Sequence, residues 1–496
     1  MKLNEDRPIV AWRCFAALVL MLVSAPAYAA DPILLWNQHT NRAIQTTAMD
    51  SFKATRALAL ESIAVFDTMR SLAGQPGFLV RLPAPADVPP DVAASAAAHA
   101  MLVYLFPDLK AQLDAALVQS LAAFPAHERR ARAVAFGKAV AAAVIAMRDR
   151  DGWNAAAAAK IGSDPGQWRP TPPRFYPPLD PQWAFLAPFT LRLPDQFRPR
   201  GPRLPGTAAF NEAREQTATM GGAHSQVRTA DETQAAHYWS DAIGTYAPAG
   251  HWNAIAAEVL RAAGQDPMRE ATLFAKLNVA IADAAIAMAD AKYTYWAWRP
   301  ITTIRAGDAD FPARPEWTPL LETPPHPSYV SGHSAFSGAA AVVLTSELGA
   351  RPFRVGSAST PGVSRSFTSF EQAAAEAANS RLWGGIHYKF DNDDGLETGR
   401  AVGAWVLKAF HHLDADRPPV IVLDGPGTTG LAVANAAPIR SVEIVLDGGP
   451  STTVPVDALG RFALPRCSKG PHAVIVTARG AGGQVVRLET TMNGGG

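Results

Sequence analysis

Three short stretches in the second half of the chain carry side chains that could bind an oxyanion and move a proton. Together they supply three cations, a hydroxyl group, a glycine N–H, two imidazoles and a carboxylate. These residues are Lys292, Arg299, Ser331, Gly332, His333, Arg381, His387 and Asp391. Several cations directed at one point suit a multiply charged oxyanion, and imidazole suits proton transfer near neutral pH. Each stretch alone is a weak signal, so its value depends on the elements that position it.

The first stretch lies at the end of a helical pattern. Residues recur there at alternating steps of three and four, which places them on one helical face. They are Ile281, Ala285, Met288, Lys292, Tyr295 and Arg299. A buried cation without an anion is costly, so this mostly apolar face should meet a carboxylate or a bound oxyanion. Pro300 limits how far the helix continues, and an ordinary helix with ion pairs remains the alternative from this pattern alone.

The second stretch, Ser331 to His333, precedes a run of small and apolar residues from 334 to 348 that predicts a core helix. Serine and glycine at the start of a helix offer a hydroxyl, backbone N–H groups and the positive end of the helix dipole to one anion. His333 is then placed for proton transfer. Because a lone histidine is usually structural, this interpretation depends on the other two stretches.

The third stretch combines a cation, two glycines, an imidazole and a carboxylate. Gly384 and Gly385 should end or kink the helix that carries Arg381, which lets His387 turn into the same pocket. His387 and Asp391 are four residues apart, so they are predicted to share one face of a new helical turn. There the carboxylate would orient the imidazole or offset a neighbouring cation.

Alanine-rich helices are predicted to hold these stretches in place. Residues 40–160 have a helical period, and helices return from about residue 207 to 412. Between them, residues 163–206 contain 12 prolines and several aromatic residues. Such a segment cannot be a regular helix, and its aromatic content predicts an ordered loop packed across the helices. Residues 30–414 are therefore predicted to form one mainly α catalytic domain, a helical bundle.

A different pattern begins at about residue 420. Short segments of alternating apolar residues are separated by Asp-Gly and Gly-Gly turns. This pattern predicts a small C-terminal β-sandwich over residues 420–496, resembling an immunoglobulin-like module. The segment carries no evident chemistry, which favours an accessory role as a spacer or adhesion module.

Composition excludes several classes of protein. The chain has 496 residues, of which 48% are hydrophobic, and its 45 basic and 44 acidic residues nearly balance. Such a balance gives no reason to expect a nucleic-acid partner, and the apolar fraction is ample for folded domains. The length allows two or three domains with a large core.

The N-terminus, residues 1–29, has the pattern of a signal peptide. A basic flank, a short apolar segment from 15 to 23 and a small-x-small site at 27–29 occur in that order. The apolar segment is short for a membrane anchor, which is the alternative. Cleavage would remove three basic and two acidic residues, leaving 42 of each sign, and would remove Cys14, leaving Cys467 unpaired. A periplasmic or extracellular location is therefore predicted, without stable membrane insertion after cleavage.

Taken together, the three stretches resemble a known signature. Lys-x6-Arg-Pro, then Ser-Gly-His, then Ser-Arg-x5-His-x3-Asp is similar to the pattern shared by vanadium-dependent haloperoxidases and type 2 phosphatidic-acid phosphatases. The matching residues are Lys292, Arg299, Pro300, Ser331, Gly332, His333, Ser380, Arg381, His387 and Asp391. The resemblance is strong over residues 270–410 and looser in the N-terminal helical part, where the chain resembles secreted bacterial haloperoxidases. The β tail lies outside it.

This resemblance implies a role for each site residue. Lys292, Arg299 and Arg381 would hold the equatorial oxygens of vanadate or phosphate. The hydroxyl of Ser331 and the N–H of Gly332 would add hydrogen bonds to the same oxyanion. His387 would bind vanadium or, in a phosphatase, act as the nucleophile that becomes phosphohistidine; His333 would be the general acid or base, and Asp391 a supporting carboxylate. The cofactor is vanadate if the protein is a peroxidase, and none is needed if it is a phosphatase.

Two reactions are therefore possible, halide oxidation and phosphate-ester hydrolysis. The length and layout of the chain favour halide oxidation. A haloperoxidase would oxidise halide with hydrogen peroxide to hypohalous acid, whereas a secreted acid phosphatase would hydrolyse a phosphate ester. Small molecules are the predicted partners in both cases, and a homo-oligomer is compatible with either. A third alternative is a non-catalytic secreted protein whose β tail docks on a surface polymer.

His326 bears on the choice of halide. In the family that the chain resembles, chloride-oxidising members tend to carry an aromatic residue at the corresponding position, and bromide-oxidising members a histidine. The resemblance therefore predicts bromide or iodide in preference to chloride, with His326 in a halide or substrate pocket. A plain loop residue between two prolines is the alternative for His326.

Overall fold

The computed structural model describes most of the chain after the predicted signal peptide. The described residues are 31–264, 266–411, 413, 420–423, 429–433, 439–456, 461–480, 483 and 485–494. The signal-peptide prediction and the predicted boundary at 414–419 lie outside these ranges. The division into two domains at that boundary therefore stays a prediction.

The described part of the chain up to residue 411 is mainly helical, which confirms the predicted α class. Short polar residues begin several of its helices; for example, Asp50 accepts hydrogen bonds from two N–H groups in the first turn of the second helix. The helices are α1 Pro32–Thr46, α2 Ser51–Leu72, α3 Pro90–Leu105, α4 Lys110–Ser120, α5 Glu128–Arg148, α6 Ala208–Met220, α7 Ala230–Tyr238, α8 Ala247–Ala263, α9 Pro267–Tyr295, α10 Pro300–Ala306, α11 Gly332–Leu348, α12 Phe370–Trp383 and α13 Lys389–His411.

Helix α9 forms the centre of the bundle and packs against α2, α11 and α13. Among the described residues it is the one helix long and apolar enough to cross a membrane. The most apolar 18-residue stretch of this helix is 89% buried inside the protein, so the neighbouring helices cover its apolar surface. Nine of the 22 buried residues of this helix are alanine, a small side chain that lets neighbouring helices approach closely.

The proline-rich segment is ordered, as predicted. Trp168 and Trp183 are fully buried, and a short 3-10 helix runs over Pro181–Phe185. Asp283 of α9 anchors the segment, because its carboxylate accepts hydrogen bonds from the N–H groups of residues 189 and 190, both at 2.7 Å. The segment is therefore part of the wall of the helical bundle.

A β-hairpin interrupts the helical part where only helices were predicted. Strands β1 Phe353–Ser357 and β2 Thr360–Phe367 pair antiparallel. Residues of β1 alternate between buried and exposed, which is the period of a strand, and Pro352 immediately before it discourages a continued helix. The hairpin closes over α8 and α12.

The C-terminal part contains strands in two antiparallel sheets. The first sheet has the order β3-β4-β7 and the second the order β6-β5-β8-β9. The strands are β3 Val420–Leu423, β4 Thr429–Val433, β5 Ile439–Leu446, β6 Thr452–Val454, β7 Arg461–Ala463, β8 Gly470–Gly480 and β9 Val485–Gly494. Side chains from both sheets, such as Phe462 and Val476, share one small apolar core. The β character is thus confirmed, and the immunoglobulin-like class stays a prediction.

A buried carboxyl group in α2 makes the stability of the bundle depend on pH. Glu61 is 3% exposed, and burial raises its pKa to about 8. The folded state keeps this proton while the unfolded chain releases it near pH 4.5, so this contribution to stability is lost as pH rises from about 4.5 to 8.

Glu61→Gln is expected to increase the free energy of unfolding by about 4 kcal/mol at pH 8 and to change it little at pH 4.5. Urea unfolding followed by tryptophan fluorescence reports on the helical part alone, because residues 420–496 contain no tryptophan. The exposed Glu212→Gln is the matched control. An equal change at both pH values for Glu61→Gln would contradict the assignment.

Candidate active site

The two cations of the first stretch lie on separate elements, so the prediction that they share one helical face is wrong. Helix α9 ends at Tyr295, and Trp296 adopts a left-handed conformation with a φ of 47°. Arg299 is instead the N-cap of α10, with Pro300 in the first turn. Both cations are nevertheless fully buried in one site, where burial and the charge of Arg299 hold the pKa of Lys292 well below its usual range.

Backbone carbonyls of the loop before α11 hold these two cations. The Nζ of Lys292 donates hydrogen bonds to the carbonyls of Pro327 at 2.7 Å and Ser328 at 3.0 Å. The Nε of Arg299 donates to the carbonyl of His326 at 2.7 Å. Neutral carbonyls satisfy N–H donors without cancelling their charge, so positive potential remains available for an anion. Burial lowers the pKa of Arg299 to about 9, which still leaves the guanidinium charged at neutral pH.

The second stretch begins a helix, as predicted. Ser331 is the N-cap of α11, and its Oγ accepts a hydrogen bond from the N–H of Ser334 at 3.4 Å. Gly332 and His333 follow in the first turn, where N–H groups have no partner within a helix. Burial and the charge of Arg381 hold the pKa of His333 well below its usual range. Its imidazole is therefore neutral at pH 7 and can accept a proton.

Arg381 reaches the site from the last turn of α12. This helix ends at Trp383, and Gly385 has a φ of 74°, so the two predicted glycines do end the helix. A side chain at Gly385 would overlap the backbone of Gly221. Arg381 is 2% exposed and donates to the carbonyl of Trp239, while its Nε has no hydrogen-bond partner among the described residues. Burial lowers the pKa of Arg381 to about 10.

His387 precedes α13 instead of lying on a helical turn, and Asp391 fixes its ring. The Nδ1 of His387 lies 3.0 Å from Oδ2 of Asp391. The same oxygen accepts hydrogen bonds from the hydroxyl of Ser328 at 2.5 Å and the N–H of Tyr388 at 3.2 Å. A proton on Nδ1 leaves the lone pair on Nε2, which lies 3.0 Å from Nη1 of Arg299. The nucleophilic nitrogen therefore faces a cation.

His326 also contacts the site. It is 8% exposed, and its Nδ1 lies 2.9 Å from Nη2 of Arg299. The ring of Phe52 meets it edge to face, with centroids 6.0 Å apart. Burial and the charge of Lys292 hold the pKa of His326 well below its usual range, so this imidazole is neutral.

Two further residues lie beside His333 that sequence reasoning did not assign to the site. Oδ2 of Asp241 is 3.9 Å from Nε2 of His333, and Oδ1 is 3.1 Å from Nδ1 of His251. His251 is fully buried and stacks on Trp239 with ring centroids 4.5 Å apart. His251 thus supports the carboxylate that lies beside His333. The sequence offered only an aspartate and a histidine ten residues apart, a spacing that predicts no contact.

The charges of these groups fit a multiply charged oxyanion such as vanadate or phosphate. Three buried cations, Lys292, Arg299 and Arg381, are set against two buried carboxylates, Asp241 and Asp391. Burial raises the pKa of Asp391 to about 6. At mildly acidic pH this carboxylate is therefore partly protonated and offsets less of the positive charge of the three cations. The unpartnered Nε of Arg381 provides an unused donor for an oxyanion. The site can therefore hold an oxyanion and offer it a ring nitrogen.

Two kinds of comparison relate this fold to known proteins. Residues 272–414 match the family model of the VCPO second helical-bundle domain. A bacterial vanadium-dependent iodoperoxidase superposes with a TM-score of 0.68 at 29% identity, covering 76% of this chain and 95% of that one. None of the curated proteins is significantly similar to this chain in sequence.

More distant structures share the fold. A holo-type bacterial vanadium-dependent chloroperoxidase has a TM-score of 0.59 at 18% identity, covering 74% of this chain and 93% of that one. The apo-type chloroperoxidase has a TM-score of 0.57 at 17% identity, covering 74% and 96%. The family-model match over residues 272–414 and the likeness to the iodoperoxidase support the superfamily of vanadium haloperoxidases and type 2 phosphatidic-acid phosphatases for this chain.

Proposed function

We propose that this protein is a vanadate-dependent haloperoxidase, which oxidises bromide or iodide with hydrogen peroxide to hypohalous acid. The observation that carries the proposal is the Nε2 atom of His387. Because Nδ1 contacts Asp391, the lone pair lies on Nε2, which accepts a hydrogen bond from Arg299 in a site with three buried cations, and a bound oxyanion would replace that contact. The likeness to a bacterial iodoperoxidase supports a peroxidase over a phosphatase.

In this proposal each site residue has a separate role in binding the oxyanion or in orienting a group that binds it. Lys292, Arg299 and Arg381 hold the oxyanion and keep its negative charge from opposing the approach of halide. His387 anchors it through Nε2, and Asp391 orients that ring. Vanadate held by these residues would supply a Lewis-acid centre for the activation of peroxide, with no change in its oxidation state.

Proton transfer falls to His333 at the start of α11. As a neutral imidazole it can accept a proton from hydrogen peroxide and later return it to a leaving oxygen. The hydroxyl of Ser331 and the N–H of Gly332, at the same helix terminus, add hydrogen bonds to the oxyanion. The helix dipole favours the same negative charge.

The alternative reaction uses the same atoms. In a secreted acid phosphatase, Nε2 of His387 would attack a phosphate ester, His333 would protonate the leaving oxygen, and water would release phosphate from His387. A paired assay on one preparation distinguishes the two reactions.

In this assay, one portion is loaded with orthovanadate and tested for peroxide-dependent bromination of monochlorodimedone. The vanadate-free portion is tested for hydrolysis of p-nitrophenyl phosphate, with His333→Ala as the control for both. Bromination that requires vanadate and His333 would support the proposal. Phosphate release without halide oxidation would overturn it and make the protein a phosphatase.

Asp241→Asn is expected to lower kcat for bromide oxidation by about 10- to 100-fold with little change in KM for bromide. The carboxylate lies between His251 and His333, so its loss leaves the imidazole of His333 without a fixed anion to stabilise its protonated form. Steady-state kinetics of the vanadate-loaded variant measure the effect. The control is Asp231→Asn, whose carboxylate is exposed and pairs with Arg365; a loss as large in that variant would contradict the proposed role.

Bromide and iodide are expected to be oxidised faster than chloride. His326 presents a neutral imidazole against Arg299, at the position where the family resemblance associates histidine with bromide or iodide. The measurement compares kcat/KM for the three halides in wild type and in His326→Phe, which is expected to raise the chloride-to-bromide ratio. Equally efficient chloride and bromide turnover in the wild type would remove the basis for this assignment.

We also propose export from the cytoplasm with removal of residues 1–29, supported by the sequence pattern of that segment. Mass spectrometry of the protein recovered from its native cell compartment would show a first residue of Ala30. Recovery of the full-length chain from the cytoplasm would contradict export.

A further inference from the structure

A cavity of about 250 Å³ opens beside the candidate active site, between the end of the proline-rich segment and the start of α13. Five aromatic side chains form much of its wall. They are Phe210, Tyr295, Trp298, Tyr388 and Phe390. Asp391, the carboxylate that orients His387, also lines it. The cavity therefore shares one residue with the active site but lies outside the set of groups assigned to the oxyanion.

Two buried polar atoms that lack hydrogen-bond partners among the described residues belong to side chains that line the cavity. They are Oδ1 of Asp391, an acceptor, and the indole N–H of Trp298, a donor. The hydroxyls nearby are already used, since Tyr295 donates to the carbonyl of Pro199 at 2.6 Å and Tyr388 bonds Thr303 at 2.8 Å. An unsatisfied buried polar group is costly, so a ligand group that can both donate and accept would relieve both atoms. A hydroxyl is such a group.

The other end of the cavity is cationic. Arg200 and Arg203 both contribute to it and are exposed to solvent. Arg203 pairs with Asp394 at 3.1 Å and lies over the ring of Phe390, whereas Arg200 has no ion pair or hydrogen bond in the described part of the chain. An anionic group at this end would pair with a guanidinium that is otherwise unused.

Close contacts join the loops that form the wall of the cavity. Gly201 has a φ of 118° and packs directly on the ring of Tyr295, where a side chain would come within 3.1 Å of that ring. Trp298 donates its backbone N–H to the carbonyl of Gly166 at 3.0 Å, which joins two loops of the wall. Flat aromatic walls held in this way suit a flat ligand.

We propose that this cavity binds a hydroxylated aromatic acid. Its ring lies between the aromatic side chains, its carboxylate pairs with Arg200, and its hydroxyl bonds Oδ1 of Asp391 and the indole N–H of Trp298. This assignment concerns binding only and goes beyond the proposed halide oxidation, so it does not depend on which reaction the enzyme catalyses.

The test is calorimetric titration of the vanadate-free protein with 4-hydroxybenzoate in saturating inorganic phosphate, which occupies the oxyanion site. Saturable binding at one site is expected, with benzoate and phenol each at least about tenfold weaker because each lacks one of the two polar groups. Absence of saturable binding would overturn the proposal and show that the cavity does not bind the acid. Binding that phosphate abolishes would also overturn it, because the acid would then occupy the oxyanion site.

Surface variants locate the site without touching the catalytic groups. Arg200→Glu and Leu204→Glu, both at exposed lining positions, are expected to weaken 4-hydroxybenzoate binding about tenfold or more through charge repulsion. The matched controls are Arg192→Glu and Leu193→Glu, exposed positions of the same segment that do not line the cavity. Equal binding in all four variants would overturn the assignment, and unchanged phosphate affinity shows that each variant is folded.

Discussion

Replacement of His387 by alanine is expected to lower vanadate-dependent bromide oxidation by about a thousandfold or more. The Nε2 atom of this residue is the site nitrogen that Asp391 orients towards the cations, and no other described histidine of the site has a carboxylate within hydrogen-bond distance and a ring nitrogen facing Arg299. Without it, the cations can still attract vanadate but cannot fix it by a bond. The measurement is kcat/KM at saturating peroxide over a range of vanadate concentrations.

The matched variant is His326→Ala, which removes a second buried imidazole that touches Arg299 from another direction. It is expected to retain most of the vanadate affinity, because this ring has no carboxylate to orient it. Equilibrium binding of phosphate to both variants separates loss of the oxyanion site from loss of chemistry. Full turnover by the alanine variant of His387 would refute the assignment of the vanadium-binding residue.

Much of the local geometry of the site could be predicted because short-range rules determine it. The serine at 331 caps α11 because a hydroxyl satisfies an N–H group that a helix leaves free. The glycines at 384 and 385 end α12 because the chain there needs a positive φ and a close backbone approach to Gly221. Both features depend on residues within one helical turn or on the special freedom of glycine.

The position of Arg299 could not be predicted from the same rules. A regular period from residue 281 to 299 indicates one helix, yet the helix stops at Tyr295 because Trp296 adopts a left-handed conformation. Tryptophan rarely adopts that conformation, and the carbonyl of Trp296 accepts the N–H of Trp168, a residue of the proline-rich segment. A tertiary contact is associated with this break, and a single sequence does not show such contacts.

The pair of Asp241 and His251 was missed for a related reason. Asp241 lies in the loop before α8 and His251 lies in α8, and this pair comes close to His333 where α8 packs against α11. Sequence spacing within one element predicts which side chains share a face, but it carries no information on which elements pack together. The signature motif therefore included the groups proposed to contact the oxyanion together with Asp391, and it left out Asp241 and His251.

His333 lies in α11, and Asp391, which orients His387, lies in α13; glycine sets the distance between these two helices. A side chain at Gly399 of α13 would overlap the backbone carbonyl of Ala335 in α11. The N–H of Ser331, at the start of α11, donates to the carbonyl of Asp391 in α13 at 2.9 Å. Any increase in the separation of these helices therefore moves His333 away from His387.

Gly399→Ala is expected to lower the free energy of unfolding of the helical part by about 3 kcal/mol or more, because backbone of one helix must move to admit the methyl group. It should also weaken phosphate binding, since the cap of α11 and the carboxylate of α13 move apart. Urea unfolding followed by tryptophan fluorescence and phosphate titration measure the two effects. The control is Gly356→Ala in β1, where the nearest atom lies 3.6 Å from the new methyl group and the expected cost is below about 1 kcal/mol. Equal stability of the two variants would show that α11 and α13 can separate without cost, and the site would then not depend on their close packing.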